Sequence, residues 1–380
     1  GQFLLSFGDN KKKTMSKLLY FMPVSWGWIK QRPHFIAEEL NKYCDLTIAE
    51  KKEQTSASNR QSTPEPKDLK IVKYGSFPRY NPIKRHISIL NVINLVLFVL
   101  RIRIRQYDTI WLSSIKQYVL LRKLIPESAK VIFDCMDDEL SFPNIVNNPK
   151  AVKRAANIEK QLVERADYII CSSNNLKETI IKRTNIEKEI LIANNATIFP
   201  NRNIIANTIS KESDDKTKSL VYIGTIAKWF DFKSVLALLD SDDNVVLQLW
   251  GPIDCEIPKH DRIQIKGVCK HEDIWRIMVE SDALIMPFTI NQLILSVNPV
   301  KLYEYIWSGK PVISIEYPES LYFSDFVYYY RDSESLIEQY RTLKSNGFKA
   351  KCQDTSRIHD FTNNNSWVSR VKSVVEYIKL

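Results

Sequence analysis

Residues 296–315 read SVNPVKLYEYIWSGKPVISI. Asn298 suits an N-cap, and Pro299 suits a first helical position, where no amide hydrogen is needed. Gly309 suits the left-handed position that ends a helix, and Pro311 blocks any continuation. The spacing predicts a helix from about Pro299 to Ser308, followed by an apolar strand. The start of such a helix offers free N–H groups and the positive end of the dipole, an anion site. Glu304 lies too far along to complement that end. Three residues from Lys301, it reads in one of two ways. It is half of an exposed Lys–Glu pair, worth little, or a carboxylate that takes hydrogen bonds from sugar hydroxyls beside a held phosphate.

Outward from this stretch, strand-like and helix-like segments alternate along the chain. KLLYFMPV, CDLTIAE, KIVKYG, DTIWLSS, KVIFDC, YIICSS and ILIANN are strands of a first half. RPHFIAEELNKY, the run from Ile87 to Leu100, Lys116 to Leu124 and KAVKRAANIEKQLVERAD are helices. After a polar stretch the pattern restarts with SLVYIG, NVVLQLWG, RIQIKG and ALIMPF, then the opening helix and strand. Further helices are expected near 333–343 and 365–377. Alternation of this kind implies parallel sheets covered on both faces. The fold class is α/β, with two Rossmann-like doubly wound domains facing across a cleft. Residues 15–200 form the first domain, 201–218 the linker, 219–362 the second domain, and 363–380 a last helix that crosses back to the first. Residues 1–14 do not fit the pattern and read as a leader or tag. Lys51 to Asp68 reads as a polar loop.

The chain has 380 residues and a formal net charge of +10. That balance favours an anionic partner or simply a basic surface. The 6 cysteines show no CxxC spacing and read as reduced core residues of a cytoplasmic protein. The run ISILNVINLVLFVL is shorter than the roughly 18 apolar residues of a spanning helix. Lys84 and Arg85 precede it, and Arg101, Arg103 and Arg105 follow. It reads either as a helix lying on an anionic lipid surface or as one packed on a sheet with snorkelling arginines. The five histidines share no metal or catalytic spacing, and neither a Walker lysine nor GxGxxG is present.

NPVKLYEYIWSGKPVISI is similar to the donor-binding helix of the retaining glycosyltransferases of the GT-B fold, the glycosyltransferase group 1 or family 4-like group that builds bacterial surface polysaccharides. The resemblance covers nearly the whole chain after Met15. It implies that Glu304 holds the ribose of a nucleotide, with Val297, Asn298 and Lys301 near the diphosphate. Many members carry a second glutamate eight positions earlier, where this chain has Ser296. YIGTIAKWFDF (Tyr222–Phe232) matches the loop in which members often have an arginine and a lysine for the diphosphate. Here Gly224 and Thr225 form the turn and Lys228 is the nearest base, with a surface lysine as the competing reading. Gly251 and Pro252 in LWGPI, and Gly267 and Val268 in IKGVCKHEDIW, resemble the loops that line the base.

In the first half, PVSWGWIKQRPHF supplies Gly27 in a loop that the resemblance places against donor and acceptor. Arg32 would aim a forked guanidinium into the cleft. Trp26 and Trp28 stack on a sugar or pack beneath the loop. In FDCMDDELSF, Asp134, Asp137, Asp138 and Glu139 crowd the end of a strand. Such a cluster raises one carboxyl's pKa for general-base work, binds a divalent metal, or caps a helix. Asp137 is the first choice for a residue near the acceptor, and Asp138 the second.

The resulting expectation is a hexosyltransferase, peripheral at the inner face of the cytoplasmic membrane. It would move a sugar from a UDP-sugar to a lipid-linked glycan in capsule or O-antigen synthesis, with retention. It would need no metal cofactor and bind no nucleic acid. The competing readings are a sugar-nucleotide epimerase of the same fold and a non-enzymatic basic protein that binds lipid or nucleic acid.

Overall fold

The computed structural model describes residues 15–26, 30–52, 64–201 and 216–380. The expected leader, most of the linker, Gly27 and Trp28 lie outside the described residues.

The first sheet contains β1 (Lys17–Met22), β2 (Asp45–Lys51), β3 (Lys70–Tyr74), β4 (Thr109–Leu112), β5 (Lys130–Cys135), β6 (Tyr168–Cys171) and β7 (Ile190–Ile192). Its order is β3-β2-β1-β4-β5-β6-β7, with every pair parallel. The helices of this half are α1 (Arg32–Leu40), α2 (Ser88–Val99), α3 (Ile115–Leu121), α4 (Pro143–Val146), α5 (Pro149–Arg165) and α6 (Asn174–Thr184). The second sheet contains β8 (Lys218–Ile223), β9 (Val245–Trp250), β10 (Ile263–Gly267), β11 (Ala283–Met286), β12 (Val312–Ile315) and β13 (Val327–Tyr330). Its order is β10-β9-β8-β11-β12-β13, again all parallel. Its helices are α7 (Phe232–Ser241), α8 (Ile274–Glu280), α9 (Gln292–Leu295), α10 (Val300–Trp307), α11 (Ser333–Ser345), α12 (Thr355–Asn364) and α13 (Trp367–Ile378).

Each sheet reverses its strand order once, between β1 and β4 and between β8 and β11. Crevices open at the carboxyl ends of the strands at such points. The period of two along β1 decides its packing. Leu19 and Phe21 enter one apolar core; Leu18, Tyr20 and Met22 enter another on the opposite face. Tyr20 stacks on Trp111 there, ring centroids 5.2 Å apart. Helix α13 crosses to that second core: Trp367 stacks on Phe35 of α1 at 5.5 Å, and Val371 and Val374 are buried beside it.

Five elements escaped the sequence pattern: the single-turn helices α4 and α9, helices α6 and α12, and strand β13. Helices α6 and α12 carry few apolar residues, and β13 reads VYYY, aromatics that the alternation rule does not separate from loop. The opening helix runs Val300–Trp307, and its cap position is Pro299, with no side-chain cap bond. Asn298 is therefore not the N-cap; tertiary partners take its side chain instead. Gly309 ends the helix as expected, at φ +73°.

Helix α2 buries only Phe98, which packs against Phe21 and Tyr74 at 5.5 and 5.3 Å. Ile89, Val92, Val96, Val99 and Leu100 are exposed. Packing on the sheet thus accounts for one face of α2 and leaves the other apolar and bare. Among the described residues, no helix is long and apolar enough to cross a membrane.

Candidate donor site and a cavity in the first domain

Three neighbouring strands end in loops that touch. The N–H of Gly224 donates to the carbonyl of Trp250 at 2.7 Å, and that of Gly251 to Gly267 at 2.8 Å. Gly224 and Gly251 have φ of +154° and +140°, where a side chain is strained. A Cβ at Gly251 would strike the Gly224 carbonyl, and one at Gly224 would strike Lys301. Glycine is required at both positions because backbone and the lysine stem share this space. Lys301 thus leaves α10 and lies across the β8 loop. Thr225, Lys228, Pro252 and Val268 are exposed on the same rim, and Gly267 is half-buried.

Glu304 lies one helical turn below Lys301 and is 9% exposed, which removes the exposed-pair reading. Burial pushes its carboxyl above the ordinary range, and Lys301, His271 and a hydrogen bond from Thr197 pull it partly back. Among the described residues one hydrogen bond reaches this buried carboxylate, from the Thr197 hydroxyl at 3.5 Å, so it retains lone pairs for a ligand's hydroxyls.

The loop before α10 is held from the first domain. The Ser296 hydroxyl donates to Asn175 Oδ1, and the Ser296 carbonyl accepts from the Ser173 hydroxyl, both at 2.9 Å. Ser296 therefore serves the contact between the domains. Asn298 Oδ1 accepts from the Asn195 N–H at 3.0 Å and from Tyr303 OH at 3.1 Å. The Val297 N–H is spent on the Ile294 carbonyl at 3.0 Å, so the first free amides of the helix start at Val300. Glu319 accepts from the Asn175 N–H at 2.9 Å, which places a carboxylate at the start of α6 across the domain boundary.

Asn195, Thr197 and His271 were missed in the sequence. The polar run NNAT directly after β7 was the available signal for the first two, since strand ends in such sheets face the crevice.

The first-domain candidates separate. The Arg32 guanidinium is engaged by its own domain, with Asn195 Oδ1 a further, longer contact at 3.5 Å. Its Nη2 pairs with Asp134 at 2.8 Å and its Nη1 donates to the Ala193 carbonyl at 2.6 Å, both buried. It ties α1 to the ends of β5 and β7. Trp26 is fully buried, edge-on to His34 at 4.8 Å, so it packs and does not stack on a sugar. Asp138 is buried and bound to Arg183 at 3.0 Å and to the Ser141 hydroxyl at 2.5 Å. Arg183 in turn bonds Glu159 through two nitrogens, at 2.6 and 2.7 Å. Asp138 is thus engaged internally, while Asp137 beside it is open.

Asp137 and Glu139 line a cavity of about 420 Å³ in the first domain. Desolvation by the cavity walls raises Asp137, with Arg32 opposing and Asp134 adding to the rise. Burial pushes Glu139 up to about 6, against hydrogen bonds from the Ile115 N–H and the Ser114 hydroxyl. Asn91 and Asn94 of α2 form another wall of this cavity.

No family model matches the chain. A protein of Bacillus subtilis (strain 168), named as the teichuronic acid biosynthesis glycosyltransferase TuaH, is 26% identical over 237 residues, 55% of this chain. The chain spans about half the length of that curated relative, 56%. Among solved structures, Anabaena HepE in complex with UDP and glucose aligns with a TM-score of 0.67 at 12% identity, covering 96% of this chain and 99% of that one. Sucrose-phosphate synthase from Thermosynechococcus elongatus aligns at 0.70 and 11%, covering 96% and 98%. The lipopolysaccharide outer core galactosyltransferase WaaB aligns at 0.62 and 14%, covering 96% and 100%. These likenesses establish the fold. The chain has the GT-B architecture, two parallel α/β domains with a cleft at their strand ends.

Proposed function

We propose that this chain is a glycosyltransferase. It transfers a hexose from a nucleotide-sugar, a UDP-sugar, to a lipid-linked saccharide in bacterial surface-polysaccharide synthesis such as capsule or O-antigen. One observation carries the reading: buried Glu304 lies beneath Lys301, which crosses the β8 loop at Gly224, itself bonded to the loop ends of β9 and β10 through the chain Gly224–Trp250 and Gly251–Gly267. That arrangement suits a nucleoside diphosphate. Glu304 accepts from the ribose hydroxyls. The amides of Val300 and Lys301 and the Lys301 ammonium hold the diphosphate, with Lys228 on the rim; the Leu302 N–H is already given to the Pro299 carbonyl at 3.2 Å. Gly251, Pro252, Gly267 and Val268 border the base. The UDP and glucose named with HepE, and the pathway in the name of TuaH, support this choice of donor and product.

Charge grows on the departing diphosphate as the sugar bond breaks. Fixed amides and lysines stabilise it without reorganising, which is electrostatic preorganisation. The reading needs no metal. The sugar leaves toward the first domain, where Asp137 stands at the cavity that would take the acceptor. Retention of configuration is part of the proposal, as the family resemblance implies. The bare apolar face of α2, with Arg101, Arg103 and Arg105 exposed beyond its end, supports a peripheral position on the inner face of the membrane.

The test is incubation with UDP- and GDP-sugars, with and without a lipid-linked saccharide and with EDTA. Acceptor-dependent UDP release that survives EDTA supports the reading. A new sugar nucleotide without acceptor favours an epimerase. No binding of any nucleotide removes the donor site.

A further inference from the structure

The cavity beside Asp137 contains two lysines that the proposed donor chemistry does not use. Lys51 ends β2 and Lys116 lies in the first turn of α3, and both line the cavity. Among the described residues, neither side chain makes an ion pair or hydrogen bond. Other cations of this domain find partners readily: Lys30 with Glu38 at 2.6 Å, and Arg165 with Asp167 at 3.2 Å. Glu139, in the same cavity, attracts Lys116 electrostatically, but its oxygens are engaged by the Ser114 hydroxyl at 2.9 Å and the Ile115 N–H at 2.8 Å and make no ion pair with the lysine. Lys116 also acts on Lys51 as a like charge. That repulsion, with burial as the larger cause, holds the Lys51 ammonium below its ordinary pKa.

Two like charges left to repel in a cavity are relieved by an anion placed between them. The opposite wall shows what that anion is attached to. Helix α2 presents Asn91 and Asn94 to the cavity and Val92, Val96 and Val99 to solvent. One helix thus has a polar face toward a sugar-sized space and an apolar face suited to lipid.

We infer that Lys51 and Lys116 form an oxyanion subsite for the acceptor, which takes the phosphate that joins its glycan to its lipid. This deepens the acceptor half of the function proposed above and rests on it. An acidic sugar carboxylate carries the same chemistry and is the other source of such an oxyanion. Lysine suits the task as a compact charge on a flexible stem, able to follow a phosphate that arrives tethered to a membrane.

The experiment uses the full chain and its Lys51→Gln, Lys116→Gln and double variants. Farnesyl diphosphate and methyl glucuronoside are titrated in separate arms by calorimetry, and UDP in a third. UDP affinity and thermal midpoint unchanged in the variants establish that they fold and keep the donor site. The expected result is that the double variant loses at least tenfold affinity for farnesyl diphosphate. A tenfold loss confined to the glucuronoside keeps the subsite and assigns it to an acidic sugar. Wild-type affinity for both probes in the double variant, or no binding of either by the wild type, overturns it. UDP binding without these effects sinks only this inference, whereas failure to bind UDP sinks the donor reading.

Discussion

Asn195 and Asn298 bond each other twice across the domain boundary. The Asn195 N–H donates to Asn298 Oδ1 at 3.0 Å, and the Asn195 amide donates to the Asn298 carbonyl at 2.9 Å. The loop that leads into α10 is therefore held by the other domain. Replacing Asn195 with Ala removes the side-chain bond and leaves the backbone one. We expect UDP affinity to fall about fivefold, the worth of one net hydrogen bond of about 1 kcal/mol. Calorimetric titration of UDP checks this; unchanged affinity would mean that the loop holds its shape alone.

Glu304 has a cost when empty. Its carboxyl is raised, so ionisation is less favourable in the folded chain than in the unfolded one. Stability from this group is greatest below the unfolded pKa and is lost as pH rises through the folded value. Glu304→Gln should therefore melt at or above the wild-type temperature at pH 7. Glu304→Ala should bind UDP at least tenfold more weakly, since hydrogen bonds to a charged group are worth roughly 1.5–3 kcal/mol. Loss of stability in the Gln variant, or full UDP affinity in the Ala variant, would falsify the assignment.

Glu139 gives a defined pH window, because it is pushed from 4.5 to about 6. The sign is the same: the contribution is fully present below 4.5 and lost as pH rises to about 6. The span corresponds to at most about 2 kcal/mol. Urea melts of wild type and Glu139→Gln between pH 4 and pH 7, as order-of-magnitude limits of that window, should show a decline in the wild type that the variant lacks. Parallel curves would place the titration elsewhere.

The exposed face of α2 and the arginines after it predict vesicle binding. Changing Arg101, Arg103 and Arg105 to Gln should weaken binding to phosphatidylglycerol vesicles by several kcal/mol in sum, at about 1 kcal/mol per basic residue. Val96→Ser, which removes apolar surface without adding charge, should weaken it independently of salt. Sedimentation with vesicles at two salt concentrations separates the effects. If neither variant alters sedimentation, α2 is no membrane surface.

Much of the architecture was legible because it is local. Runs such as KVIFDC and ALIMPF are short, apolar and bounded by polar residues, so their burial in parallel sheets follows from composition alone. Gly224, Gly251 and Gly309 were readable because a positive φ leaves glycine as the unstrained residue. Helices α6 and α12 were not, since their stability comes from docking and caps more than from an apolar stripe. Ser173 caps α6 through the Leu176 N–H, and Asp354 caps α12.

By itself, the sequence determined two α/β halves, a helix from about Pro299 to Ser308 with its glycine stop, and a carboxylate at 304 on that helix three residues beyond Lys301. Tertiary structure alone decided which polar groups remain available. Arg32 meets Asp134, 102 residues away, and its guanidinium is paired there. Asn298 meets Asn195 across 103 residues and gives up the cap expected of it. Asp138 is neutralised by Arg183, while Asp137, its neighbour in the chain, is left open. Propensity, periodicity and capping act over a few residues and can be read along the chain. Desolvation and charge pairing depend on which distant groups the fold brings within about 3 Å, a hydrogen-bond length, and no local pattern encodes that choice.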